Sequence, residues 1–219
     1  MQEFLPVLEK CVLFDGIERT DIMGMLGCFG ASVKTVGKNG QIIAEGDPAA
    51  YVGILLEGSA NVIKQDYYGT RSIVSRVEAG QMFAESFSCA GVAEMPVSVV
   101  ADEVCKFMLI AYRRITVGCS NACSFHARVI HNLLRAVAAR NLEFHQKLDI
   151  TSKRTTREKI MAYLLSQAKM HGSNSFTIPY DRQELADYLG VERSAMSAEL
   201  SKLRKDGVLE SRKNQFILL

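Results

Sequence analysis

The sequence predicts an α+β chain: a compact antiparallel β barrel or sandwich, then one long helix, then a small module of short helices closed by a β hairpin. Three observations predict it. From Ala31 to Tyr112 apolar residues alternate with period two, in short runs separated by glycine-containing breakers. From about 121 to 150 they recur at helical spacing. Beyond Thr151 two short amphipathic segments flank Leu189-Gly190-Val191, and two strand-like runs follow them.

Residues 1–29 read as helical. Phe4-Leu5-Pro6-Val7-Leu8 and Val12-Leu13-Phe14 are apolar clusters, and Ile22, Met25, Leu26 and Phe29 share a helix face. The strand-like runs start at Val33, Gln41, Tyr51, Ser59, Ser72, Val97 and Cys105. Gly37-Lys38-Asn39-Gly40, Glu45-Gly46-Asp47-Pro48, Glu57-Gly58, Tyr68-Gly69 and Ala79-Gly80 separate them.

The long helix, with Ser120 or Asn121 as its N-cap, carries two apolar stripes. Phe125, Val129, Leu133 and Ala136 form one, suited to packing on the β module. The other alternates spacings of 4 and 3 through Cys123, Ala127, Ile130, Leu134, Val137, Asn141, Phe144 and Leu148. That is a heptad seam, and a polar Asn within it fixes register and favours two strands. A single wide stripe buried inside one chain is the competing reading.

Thr151-Ser152-Lys153-Arg154-Thr155 is a polar, basic hinge before a helix from about Thr156 to Met170. A short strand ends at Pro179. Asp181 and Glu184 have the spacing of a capping box. Gly190 supplies a turn, and Met196, Leu200 and Leu203 line one face of the helix that follows. Arg193, Ser194, Ser197 and Ser201 lie on another face. Val208-Leu209-Glu210 and Gln215 to Leu219, joined by Ser211-Arg212-Lys213-Asn214, make a wing with a basic tip. A helical hairpin in a core has similar spacing; the wing and the long helix favour a helix-turn-helix that enters a DNA groove.

Composition agrees. In 219 residues, 48% are hydrophobic and 23% charged, an ordinary globular balance, with a net charge of +2. From Thr151 onward there are 12 Lys/Arg against 8 Asp/Glu, leaving 14 against 16 before it. A basic end on a mildly acidic body suits nucleic-acid binding through that end. No apolar run reaches membrane-spanning length and no basic segment precedes an apolar one at the N-terminus, so a cytoplasmic location is expected. Six irregularly spaced cysteines make no disulfide framework. Neither a phosphate loop nor a convergent Ser/His/Asp set is present, which argues against an enzyme.

In this order of parts the chain resembles the Crp/Fnr superfamily of bacterial transcription regulators. In the β module the resemblance rests on Gly40-Gln41-Ile42-Ile43 with Glu45-Gly46-Asp47, on Leu55, Gly58 and Val62, on Gly80-Gln81-Met82-Phe83-Ala84-Glu85 and on Val99-Val100-Ala101. In the C-terminal module it rests on Arg182-Gln183-Glu184-Leu185-Ala186, Leu189-Gly190-Val191 and Arg193. It implies an antiparallel, cyclic-nucleotide-binding-like β-roll as sensor (1–119), a dimerisation helix (120–150) and a winged helix-turn-helix that binds DNA (151–219). It further implies a homodimer on a palindromic double-stranded operator, with RNA polymerase as partner if the protein is an activator.

The resemblance also sorts the sites. Glu85 matches the glutamate that holds the ribose hydroxyl in nucleotide-binding members. Met95-Pro96-Val97 stands where their Arg-Ser/Thr-Ala segment would be, so the phosphate loses its arginine and cyclic AMP and cyclic GMP are not expected as effectors. Met82, Phe83, Glu85, Phe87, Met95 and Val97 are the candidate effector pocket. It suits an apolar or aromatic small molecule or haem, or is closed by its own side chains. Several members read bases with an Arg-Glu-x-x-x-Arg set; here Arg193, Ser194 and Ala198 occupy those places. Arg193 is therefore the expected guanine reader. Ser194, Ser197 and Ser201 are further contacts, and Ala198 can touch a thymine methyl. Arg182, Lys202, Arg212 and Lys213 are the expected phosphate contacts.

Cys119, Cys123 and His126 share a helix face, which raises a metal-, haem- or redox-responsive regulator as an alternative. A third reading is a ligand-binding module whose winged helix contacts protein. Cys11 and Cys28, 17 apart, do not match the closely spaced cysteines of iron–sulfur members, which argues against such a cluster.

Overall fold

The computed structural model describes residues 1–117 and 125–219. Two compact units divide the chain: Met1–Thr70 with Val74–Asn141, and Arg71–Ile73 with Leu142–Leu219. The division falls within the long helix.

From the N-terminus, short turns and α1 (Leu5–Leu8) and α2 (Arg19–Phe29) lead into β1 (Ser32–Val36), β2 (Gln41–Ile43), β3 (Tyr51–Glu57), β4 (Ser59–Gln65) and β5 (Arg71–Glu78). Then come β6 (Met82–Phe83), α3 (Glu85–Ala90), β7 (Ser98–Ala101), β8 (Cys105–Ala111) and α4 (Tyr112–Thr116). The strands form two sheets, in the orders β1-β8-β3-β6 and β2-β7-β4-β5. The pairs β1–β8, β3–β8, β3–β6, β2–β7 and β4–β7 are antiparallel.

β3 shows why its sequence reads as an unbroken apolar run. Val52, Ile54 and Leu56 face a core shared with Leu8, Phe14, Ile22, Leu26 and Phe29 of the helical cap. Leu55, on the opposite face, points into the roll with Phe83, Met95, Val99 and Phe107. Both faces are covered, so neither is polar. Gly53 shares the roll-facing side: a Cβ there would lie 2.1 Å from the Phe83 ring. Glycine lets that ring lie on the strand.

α5 (Phe125–Thr151) buries Val129 and Leu133 in the cap core, with Phe125 and Ala136 packed against it. The start of the helix, with the expected cap Ser120 or Asn121, lies outside the described residues. Polar groups on α5 grip the turn at 13–16. Asn132 Nδ2 donates to the carbonyls of Leu13 and Asp15 at 3.1 and 2.9 Å. Arg128 Nη1 donates to Gly16 O at 2.7 Å, and Arg135 pairs with Asp15 at 2.9 Å.

The second unit contains α6 (Thr156–His171), β9 (Ser175–Thr177), α7 (Arg182–Leu189), α8 (Arg193–Lys205), β10 (Leu209–Arg212) and β11 (Gln215–Leu218). Ile160, Leu164, Leu185, Ala186, Leu189, Met196, Leu200, Leu203, Leu209 and Phe216 are buried. The wing strands β10 and β11 are joined by β9, in the order β10-β11-β9. That third strand anchors the hairpin to the body of the module.

Candidate nucleic-acid interface

The helix pair begins with a capping box. Asp181 Oδ1 accepts from the Glu184 amide at 2.8 Å, and Glu184 Oε2 accepts from the Asp181 amide at 2.9 Å. Two donors that the first turn of α7 would leave unpaired are satisfied reciprocally. Gly190 ends the helix with φ +61, in the left-handed region that a side chain disfavours. Lys159 of α6 reaches the carbonyls of Leu189 and Gly190 at 3.4 Å, and a cation there complements the helix C-terminus. Ala186 of α7 is buried, and α8 turns Met196, Leu200 and Leu203 inward.

That rotation leaves Arg193, Ser194, Ser197 and Ala198 exposed together on α8. Ser201 differs from its expected role. It is half-buried, its hydroxyl donates to Ser197 O at 3.0 Å, and it accepts from Arg204 Nη2 at 3.3 Å. Its proton is spent within its own helix. Lys202 pairs with Glu199 at 3.2 Å but stays 67% exposed, a contact worth about 0–1 kcal/mol that costs little to break.

Pro179, Asp181, Arg182, Gln183, Glu184, Arg193, Lys213 and Asn214 line a concavity of about 720 Å³. It brings Arg182 and Arg193 together with Lys213, while the two lining carboxylates are engaged in the capping box. Arg182 is half-buried. Its guanidinium lies 5.0 Å from the Phe216 ring centroid and Nη2 donates to Ser211 Oγ at 3.4 Å, while Nη1 is shielded from solvent without a hydrogen-bond partner. Burial, and secondarily the charge of Arg204, lower its pKa. Lys213 holds φ +53 at the wing tip, a conformation that costs a residue with a Cβ about 1–2 kcal/mol. Arg212 is exposed beside it. Gln183 and Asn214 were missed by sequence reasoning; only the folded groove puts them beside the cations.

In the first unit, Met82, Phe83, Glu85, Met95 and Val97 are buried, and Phe87 packs against the roll interior. Glu85 is not presented to an open cleft as a lone acid. Its side chain is 4% exposed and its Oε1 lies 3.3 Å from Arg140 Nε of α5. Arg140 Nη2 also donates to Met82 O at 3.1 Å. Ala84, just before α3, holds φ +63, in the left-handed region that favours glycine. At the segment expected to lack its arginine, Lys64 Nζ donates to Pro96 O at 2.8 Å and pairs with Glu45.

Cys119 and Cys123 lie outside the described residues. His126 is buried, its Nε2 is 3.3 Å from Arg114 O, and its ring meets Phe29 edge-on at 5.6 Å. Among the described residues no group of three or more His, Cys, Asp or Glu side chains is placed to hold a metal ion. Cys11 is buried, and desolvation pushes its thiol up to about 12; Cys28 is exposed. On the heptad seam Ile130, Leu134, Asn141 and Leu148 are exposed, and Val137 and Phe144 half-buried. No described helix is long and apolar enough to cross a membrane.

The chain joins a two-sheet roll and a long helix to a winged helix-turn-helix, a kind of module that binds DNA. Residues 33–117 match the cyclic nucleotide-binding domain and residues 158–219 the Crp-like helix-turn-helix domain. The chain belongs to the Crp/Fnr family of transcription regulators. It is 33% identical over 69 residues to the transcriptional activator protein FnrL of Cereibacter sphaeroides, a match covering 27% of this chain and 28% of that protein. It is 25% identical over 178 residues to a "Probable transcriptional activator" of Rhizobium leguminosarum bv. viciae, covering 77% of this chain and 69% of that one. Among solved structures it is similar in fold to FixK2 from Bradyrhizobium japonicum, with TM-score 0.67, 21% identity, and coverage of 86% of this chain and 92% of that one. The c-di-GMP-responsive regulator CLP of Xanthomonas campestris gives TM-score 0.73 at 19% identity, covering 90% and 98%.

Proposed function

We propose that the chain is a cytoplasmic homodimer that binds palindromic DNA through its winged helix-turn-helix and regulates transcription in response to an effector other than cyclic AMP. The observation that carries this reading is the groove in which Arg193 of α8 and Lys213 of the wing line one surface, beside the exposed face of Ser194, Ser197 and Ala198. In this reading Arg193 makes the bidentate guanine contact and Ala198 admits a thymine methyl. Lys213, Arg212 and Lys202 take phosphate oxygens, and Arg182 joins them once its shielded Nη1 is uncovered. Residues 1–119 sense, 120–150 pair with a second copy, and 151–219 bind DNA. The uncovered apolar residues of the seam support the pairing. In an activator the same dimer would also meet RNA polymerase.

The effector reading rests on the Glu85 carboxylate, which already has a counter-ion in Arg140, and on Met95-Pro96-Val97, which supplies no cation for a phosphate. A ligand acts by favouring the conformation that binds DNA. The pairing of Glu85 with Arg140 ties the roll to the long helix and gives a pocket ligand a route to that helix.

The direct test is Arg193→Ala against DNA recovered by selection from random sequence. We expect the preference for the selected sequence to fall by about 1–3 kcal/mol, with salt-sensitive non-specific binding kept. Unchanged affinity for the selected operator would remove Arg193 from the reading set.

A further inference from the structure

We infer that Asn214 is a positioning residue for DNA binding: it clamps the wing tip to the end of β9 and so holds the Lys213 ammonium across the groove from Arg193. The inference rests on the DNA-binding role proposed above and adds to it a residue that touches no base.

The clamp has two hydrogen bonds to one residue. Asn214 Nδ2 donates to Ile178 O at 3.1 Å, and the Ile178 amide donates to Asn214 O at 2.9 Å. Ile178 is buried, so the anchor is part of the core. Next along the chain, Gln215 pairs with Thr177 and Phe216 with Phe176. The clamp therefore continues the β9–β11 ladder by one residue, into the turn itself. A hairpin tip without such an anchor is the part of a wing freest to move.

The turn chemistry points the same way. Arg212 pairs with Gln215, which leaves Lys213-Asn214 as the connection. The left-handed position of that connection is held by Lys213, although Asn tolerates such a backbone better than Lys. Asn instead sits one residue later, where its side chain reaches Ile178. This placement gives up the easier turn residue, keeps a cation at the tip, and fixes the tip to the module. Lys213, Asn214, Pro179 and Arg193 all line the groove, so the anchor and the cation it orients share one surface. A cation held in place loses less freedom on meeting a phosphodiester than one on a mobile loop.

The test is a double-mutant cycle in the full-length protein, measured on a short mixed-sequence DNA duplex across a series of salt concentrations. Lys213→Gln should weaken binding and reduce the salt slope by about one unit per wing. Asn214→Ala keeps the charge and the main-chain bond from Ile178, yet should also weaken binding and flatten the slope. In the Lys213→Gln background the same change should do little more. Asn214→Gly, a residue the turn accepts, is the second variant and should behave alike; melts by circular dichroism confirm folding. If the two changes multiply, or if the Asn214 variants bind as wild type does, Asn214 does not act through Lys213. If the wild-type protein shows no salt-dependent DNA binding, the proposed function fails and this inference falls with it.

Discussion

Replacing Arg140 with alanine removes the counter-ion of a carboxylate that is almost entirely out of water. The Glu85 side chain is 4% exposed and its partner 16% exposed, with 3.3 Å between them. Ser86 Oγ, at 3.3 Å, is a neutral contact that cannot replace the charge. Breaking a buried pair from one side costs about 3–5 kcal/mol, because the charge left behind is desolvated and uncompensated. Residual exposure of Arg140 lets water reach the gap, so the loss should sit near the low end, about 3 kcal/mol. Glu85→Gln leaves the better-exposed partner, which keeps its bond to Met82 O, and should cost about 1–2 kcal/mol. The double variant should be more stable than the sum of the single losses implies, by about 1–3 kcal/mol. Urea unfolding of all four proteins, at one protein concentration because dimer formation adds to apparent stability, gives these numbers. Strict additivity, or an Arg140→Ala loss below about 1 kcal/mol, would refute the idea that this pair ties the roll to the helix.

Three further outcomes follow from the structure. Cys11 ionises near 12 when folded against an ordinary 9.0, so the unfolded chain releases its proton first. Stability should therefore fall as pH rises from 9 toward 12, and Cys11→Ala should lack that component; parallel wild-type and variant curves would sink the assignment. Leu134 is 67% exposed, so Leu134→Lys should leave the melt of the fold intact. It should also weaken self-association at least about tenfold by sedimentation, since burying one leucine is worth about 1.5–3 kcal/mol. Cyclic AMP should show no low-micromolar binding by calorimetry; such binding would overturn the effector reading.

Much of the fold was legible because its signals are local. Breakers between period-two runs located the longer strands, and Asp181, Glu184 and Gly190 marked the ends of α7 through hydrogen bonds that span three or four residues. β6 and α3 were not read, because two and six residues are too few for a period to register. The third strand of the wing escaped as a pairing, since β9 meets β11 only after two helices intervene. Ser201 was assigned outward from its helix face alone, and a hydroxyl on that face can equally return to the carbonyl one turn back.

The amino-acid sequence by itself determined the order of modules, the two stripes of α5, and the capped helix pair with its basic wing. These depend on residue type and short spacing. Only the tertiary structure decided that Glu85 is neutralised by Arg140, 55 residues away, and that Asn214 is fixed to Ile178, 36 residues away. Partners that far apart are brought together by the packing of whole elements, and no periodicity along the chain encodes which buried charge meets which, or which amide reaches which carbonyl.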